Sequence, residues 1–165
     1  MDNRFDIKMR ITRPFLASRR GRNGVRTFDR QKLDGVEYLE LDNAQWRWAL
    51  REAFQSMGLI PEVDLDYLRL PVSIKMPTIR MYVRVWDPKS KKNNECFESI
   101  QAGAVITIPV FILSELEQSS QFNGIQIGSR APTKEEVIQA FRIIGESIGL
   151  SPWGSKFGYG RFNLL

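Results

Sequence analysis

Phe5-Asp6-Ile7-Lys8-Met9-Arg10-Ile11-Thr12 alternates apolar and polar side chains without a break. Successive residues of a strand point to opposite faces, so Phe5, Ile7, Met9 and Ile11 share one side and Asp6, Lys8, Arg10 and Thr12 the other. The pattern predicts a strand buried on one face only, ended by Pro14. It returns in Thr78 to Trp86, where Ile79, Met81, Val83 and Val85 oppose Arg80, Tyr82, Arg84 and Trp86. Strands of this kind need a layer of helices on one side and leave the other to solvent or to a partner.

Two helical patterns supply that layer. Asp42-Asn43-Ala44-Gln45 is a helix start, with Asp42 as N-cap. Trp46, Ala49, Leu50, Ala53, Phe54 and Met57 follow at helical spacing, with Gly58 as the stop. Thr133-Lys134-Glu135-Glu136 is a capping box, followed by the stripe Val137, Ala140, Phe141, Ile144 and Ile148, with Gly149 as the stop. Leu59 to Pro77, broken by three prolines, reads as an irregular connector with short extended pieces. Asp87 to Asn94 is a polar turn, Phe97 to Leu113 a further extended run carrying Gly103 and Pro109, and Tyr159 to Leu165 a last strand. The order is β-α-β-β-α-β. The fold class expected is α+β, a ferredoxin-like split βαβ arrangement with two helices on one face of an antiparallel sheet. The chain then forms a single domain, residues 1–165, with a basic loop insertion at about 17–36.

The chain's 165 residues, 42% hydrophobic and 26% charged, suit one domain with its own core and exclude overall disorder. No apolar run approaches the ~20 residues of a membrane span, so no membrane association is expected. The N-terminus lacks the apolar core of a secretory signal, and the single cysteine, Cys96, cannot form an internal disulfide. A reducing cytoplasm is the expected location. Histidine is absent altogether, which excludes Ser-His-Asp and Cys-His nucleophiles, His-containing zinc sites and the usual general base at neutral pH. No cofactor and no metal are expected. Asp64 and Asp66 share a strand parity, but with no third ligand evident they read as plain surface.

Positive charge is concentrated at one end. Residues 1–35 carry ten bases and four acids, a net of +6, while the remaining 14 bases and 15 acids net −1. Eight of the ten are arginine, which makes forked contacts to phosphate and stacks on bases. Such a run fits a solvated loop or a polyanion contact, most simply nucleic acid. If the two alternating strands share a sheet, Lys8, Arg10, Arg80, Tyr82, Arg84 and Trp86 share its open face. Bases interleaved with aromatics suit single-stranded nucleic acid, although Tyr and Trp also pair across solvated strands. The N-terminal charge favours binding.

The tail Gly149-Leu-Ser-Pro-Trp-Gly154-Ser-Lys156-Phe-Gly158-Tyr-Gly160-Arg161-Phe follows the second helix and enters the last strand. Its glycines either admit an anion to the backbone or simply permit a turn. The tail is neither a Walker loop nor a dinucleotide fingerprint, since no Gly-Lys-Ser/Thr precedes a helix and no strand precedes the glycines. It resembles the RAMP superfamily, the ferredoxin-fold RNA-binding proteins of CRISPR systems, in which a glycine-rich loop ending Gly-aromatic-Gly-Arg leads from the last helix into the last strand. Ala49-Leu50-Arg51 matches the family's first helix, without its Pro-Gly-Ser-Ser start, and Phe97-Glu-Ser-Ile-Gln-Ala-Gly resembles its approach to the third strand.

The resemblance implies an RNA-binding, non-catalytic subunit of, or factor acting on, a CRISPR-type ribonucleoprotein of prokaryotic or phage origin. RNA, taken as single-stranded, and other ribonucleoprotein subunits are the partners implied. The residues expected to hold RNA are Lys8, Arg10, Arg19, Arg20, Arg22, Arg26, Arg80, Tyr82, Arg84, Trp86, Gly154, Lys156, Gly158, Gly160 and Arg161. A second reading is a protein-interaction module resembling an effector subunit, with tryptophans among Trp46, Trp48, Trp86 and Trp153 as anchors. A third is a metal-independent endoribonuclease without histidine. Lys156 and Tyr159 are its weak catalytic candidates, and both would need strong tuning from ordinary pKa values near ~10.

Overall fold

A computed structural model describes residues 3–17, 19–20, 25–41, 43–70, 73–86, 94–114, 130–150 and 158–165. The opening alternation is β1 (Asn3–Ile11), with Phe5, Ile7, Met9 and Ile11 buried and Asp6, Lys8 and Arg10 exposed. Downstream come β2 (Phe15–Leu16), β3 (Arg19–Arg20), β4 (Val25–Thr27), β5 (Asp29–Leu33), β6 (Val36–Glu40) and α1 (Asn43–Ser56). The connector holds β7 (Leu68–Arg69) and β8 (Ser73–Lys75), and then β9 (Ile79–Trp86), β10 (Asn94–Ile100), β11 (Val105–Ile112), α2 (Lys134–Ile143) and β12 (Phe162–Leu164) follow. The result is a mixed α+β fold with mostly antiparallel sheets and two α-helices among the described residues.

One sheet runs in the order β12-β1-β11-β7, every neighbour antiparallel. The pairing of β1 with β11 extends from Asn3↔Ile112 to Arg10↔Val105. Even residues of β11 (Ile106, Ile108, Val110, Ile112) are buried with the odd residues of β1. Both rows join one core with Trp46, Ala49, Leu50, Ala53 and Phe54 of α1 and Val137, Ala140 and Phe141 of α2. Each fully buried large side chain stabilises the fold by roughly 1.5–3 kcal/mol, which outweighs the weak helix propensity of the aromatic residues in α1. Trp46 and Phe141 close the helix pair, their ring centroids 5.7 Å apart.

Several expectations are corrected. Strand 79–86 does not share a sheet with β1: β9 pairs with β10, from Ile79↔Ile100 to Trp86↔Asn94. A short polar connection makes that local pairing entropically cheaper than a distant one. The second sheet is completed by β2, by β4 lying parallel to β10, and by β3 on β4. The run 97–113 is two strands, because the chain turns at residues 101–104 and Gly103 N–H donates to the Ile11 carbonyl (2.7 Å). Pro109 precedes the two residues of β11 that pair with β7, so among the described residues β11 has no partner there on its outer side. The segment read as a basic loop at 17–36 is largely extended chain. β5 and β6 form a hairpin, Asp29↔Glu40 to Leu33↔Val36, closed by Asp34-Gly35 with φ 49° and 79°. Two consecutive positive φ values are what a two-residue hairpin turn requires. The proposed Asp42 cap lies outside the described residues.

The Thr133 capping box is present: Thr133 Oγ accepts from Glu136 N–H (3.2 Å), and Glu136 Oε1 accepts from Thr133 N–H (2.8 Å). Arg130 adds a fork onto the same carboxylate (2.7 and 2.9 Å) and reaches Glu62 at 3.0 Å. The Arg130 bond, and after it the Thr133 N–H, hold the Glu136 carboxyl down to about 2, from an ordinary value of 4.5. A depressed carboxylate stabilises the fold above its unfolded pKa and ceases to do so as pH falls through the folded one. Urea unfolding should therefore show stability falling between pH 4.5 and pH 2, and Glu136→Gln should flatten that limb. Thr133→Ala should cost about 1 kcal/mol.

Candidate nucleic-acid interface

The exposed side of the β12-β1-β11-β7 sheet is built by the parity that fills the core. Arg4, Asp6, Lys8 and Arg10 point outward from β1, and all four are exposed. Opposite them on β11 lie Phe111, Pro109, Thr107 and Val105. Asn163 of β12 stands beside Arg10, and Arg69 of β7 beside Phe111. The face thus carries four bases and one acid around an aromatic ring. The Arg4 guanidinium lies over that ring, 5.3 Å from its centroid. Lys8 and Arg10 are where the alternation placed them. Arg4, Arg69 and Phe111 were missed, although Arg4 shares the parity of Lys8 and Phe111 that of Thr107.

The other basic candidates do not join this face through a common sheet. Arg80, Tyr82, Arg84 and Trp86 lie along β9, level with β10. Arg19 and Arg20 form β3 and pair with Thr27 and Arg26. Arg26 lies over the Phe97 ring, 5.8 Å from its centroid. Arg22, Gly154, Lys156 and Trp153 lie outside the described residues. Arg30, part of the arginine-rich segment, is engaged internally: its guanidinium pairs with the fully buried Glu98 of β10. Sequence reasoning gave Glu98 no role beyond its place in the Phe97-to-Gly103 stretch; an acid next to apolar Phe97 at the start of an extended run is the signal that could have found it.

The end of the glycine-rich tail is tied into the fold. Gly158 and Gly160 have φ of 76° and 72°, the left-handed region that favours glycine. Gly160 is buried; its N–H donates to the Pro14 carbonyl (2.8 Å) and its carbonyl accepts from Leu150 N–H (3.0 Å). Arg161 donates to the Glu146 carbonyl, and its own carbonyl takes the N–H groups of Thr12 and Arg13 (2.9 and 3.3 Å). Gly160 and Arg161 thus have a structural duty at the seam between β1 and β12. A Cβ on Gly158 would meet nothing within 4 Å, so the space beside it is open. Tyr159 lies under the Arg13 guanidinium, 5.8 Å away.

Between α1 and β7 is a pocket of about 380 Å³, floored by leucines and rimmed by Arg47, Arg69 and Asp66. Asp66 pairs with Arg47 (2.6 Å), and Asp64 Oδ1 accepts from Asp66 N–H (2.8 Å). The two carboxylates therefore serve an ion pair and a turn cap. Among the described residues no group of three or more His, Cys, Asp or Glu is placed to hold a metal. No helix there is long and apolar enough to cross a membrane. Trp46 is buried, whereas Trp48 on the same helix is 50% exposed.

No family model and no curated protein matches the chain. Solved structures do. A chain of the Type III-B Cmr-beta complex, solved by cryo-EM with cognate target RNA bound, is similar with a TM-score of 0.53 and 10% identity. The match covers 99% of this chain and 59% of that one, so the present chain spans well under two thirds of its length. A chain of a Type IV-B CRISPR complex is similar with a TM-score of 0.56 and 10% identity, over 99% of this chain and 90% of the other. The fold is one found in chains of CRISPR complexes.

Proposed function

We propose that this chain is an RNA-binding component of a CRISPR-type ribonucleoprotein, built on the ferredoxin-like unit of RAMP proteins. The antiparallel order β12-β1-β11-β7, with α1 following β1 and α2 leading into β12, supports the split βαβ reading. The second strand of that unit is then the two-residue β7, and the β9–β10 hairpin is an addition between β7 and β11. The observation that carries the function is the open sheet face, where four bases and one acid surround an aromatic ring in a fold shared with chains of CRISPR complexes. Lys8 and Arg10 grip RNA there. Arg19, Arg20, Arg22 and Arg26, the strand from Arg80 to Trp86, and Gly154, Lys156 and Gly158 extend the contact.

Labelled RNA titrated at several salt concentrations tests this. Affinity should fall with log salt, and the RNA should run intact on a gel afterwards. Replacing Arg19, Arg20 and Arg22 together with alanine should lower the salt slope by about 2, since each phosphate contact on a single strand contributes ~0.7. An unchanged slope would remove that cluster from the interface, and RNA cleavage would favour a nuclease. A second reading, a protein-interaction module, is favoured by the exposed Trp48 and by Leu33 and Val36 at the β5–β6 turn. It predicts negligible RNA affinity at any salt.

A further inference from the structure

Arg4, Phe111 and Arg69 form a single row across β1, β11 and β7 on the open face. Adjacent strands lie ~4.8 Å apart, so a guanidinium-bearing residue stands one strand away on each side of the ring. Phe111 belongs to the outward parity of β11 and is half-buried, while the inward neighbours Val110 and Ile112 fill the core. Its ring is therefore not a core side chain. The Arg4 guanidinium, itself a planar π group, already lies over it at 5.3 Å, which marks the ring face as reachable by a planar ligand. From Arg4 to Arg10 the exposed side of β1 runs on for about 20 Å, carrying Lys8.

We propose that Phe111 is a stacking platform for one base of a single-stranded RNA, with Arg4 and Arg69 holding the phosphates on either side of that base. Arg4 moves from the ring to a phosphate as the base arrives. Arg69 swings from the rim of the α1–β7 pocket, where its Nη1 donates to the Asp66 and Leu68 carbonyls (2.6 and 3.1 Å), and Lys8 and Arg10 take the phosphates that follow along β1. Charge decides the class of partner: a face with four bases, one acid and exposed Thr107 and Asn163 suits a polyanion better than an apolar protein surface. The stacked ring separates an RNA from other polyanions, because every base offers a π-face and a phosphate or carboxylate does not. This inference rests on the RNA-binding reading and adds where a base sits and what holds it.

The test compares a uridine oligomer with an abasic ribose-phosphate oligomer of equal length, by fluorescence anisotropy at fixed salt. Phe111→Ala should weaken uridine-oligomer binding between about fivefold and a hundredfold, leave the salt slope unchanged and leave abasic binding unchanged. Phe111→Leu, which keeps apolar bulk but has no π-face, should lose the same factor, and Phe111→Trp should retain wild-type affinity. Arg69→Ala should lower the salt slope by about 0.7 for both oligomers. Salt-dependent wild-type binding that is equal in Phe111→Leu would overturn the platform and leave the RNA-binding reading standing. Wild-type protein that binds neither oligomer would overturn both, and tighter binding of polyglutamate than of either oligomer would assign the face to an acidic protein.

Discussion

Gly145→Ala should lower stability by at least about 3 kcal/mol, the largest effect among the glycines whose surroundings are described. Gly145 lies in the last, π-helical turn (residues 144–148) that continues α2, where the helix runs against β12. A Cβ there would overlap the Phe162 carbonyl oxygen and lie 2.8 and 2.9 Å from two carbons of the Phe162 ring. Neither neighbour can yield. The carbonyl belongs to the backbone of β12, and the Phe162 side chain is 1% exposed within the core. Overpacking of a dense interior typically costs 1–3 kcal/mol, and more where backbone must shift. In a chain of this size that corresponds to a fall of about 6–12 °C in the thermal midpoint. Gly158→Ala is the contrast, with open space for the new methyl and only the left-handed backbone to oppose it, about 1–2 kcal/mol. A midpoint in Gly145→Ala within 2 °C of wild type would show that β12 is not packed against the helix as described.

Arg30→Ala should cost about 2–3 kcal/mol. Its partner Glu98 has a fully buried side chain at the point where the β9–β10 register shifts between Phe97 and Ser99. Among the described residues Glu98 Oε1 has no hydrogen-bond partner, so the Arg30 guanidinium on Oε2 is what compensates the buried charge. Losing one member of a fully buried pair costs 3–5 kcal/mol; the Arg30 side chain is 41% exposed, so solvent screens one end and the lower figure applies. Replacing both members removes the uncompensated charge. Arg30→Ala combined with Glu98→Gln should therefore be more stable than Arg30→Ala alone, a coupling visible in a double-mutant cycle by urea unfolding. Additive costs would mean that the carboxylate does not depend on Arg30. The pair also anchors the β5–β6 hairpin to the second sheet, so Arg30 has a structural duty.

What was legible in the sequence was what depends on neighbours within a few residues. The strict alternation of Phe5 to Thr12 set both faces of β1, and the helical stripes with their stops set α1 and α2, because side-chain period is a local property of backbone geometry. The Thr133 capping box was readable for the same reason. Asp34-Gly35 was equally local, a hairpin turn signal. It went unread because β5 is polar up to Leu33 and the alternation begun by Val36 and Tyr38 in β6 breaks at Leu39.

Strand partnership was decided only by the tertiary structure. Two alternating strands looked like neighbours in one sheet, yet β9 folds onto β10 and the place beside β11 goes to β7, two residues long and without any period to read. Alternation states which face of a strand is apolar and is silent about which edge it offers to whom. That choice follows from loop-closure entropy and from which edges are already occupied, both sums over the whole chain. The candidate interface divides the same way. Lys8 and Arg10 could be placed outward from sequence alone, but the row Arg4–Phe111–Arg69 draws on three strands separated by up to 107 positions. Only the register of β1, β11 and β7 brings it together.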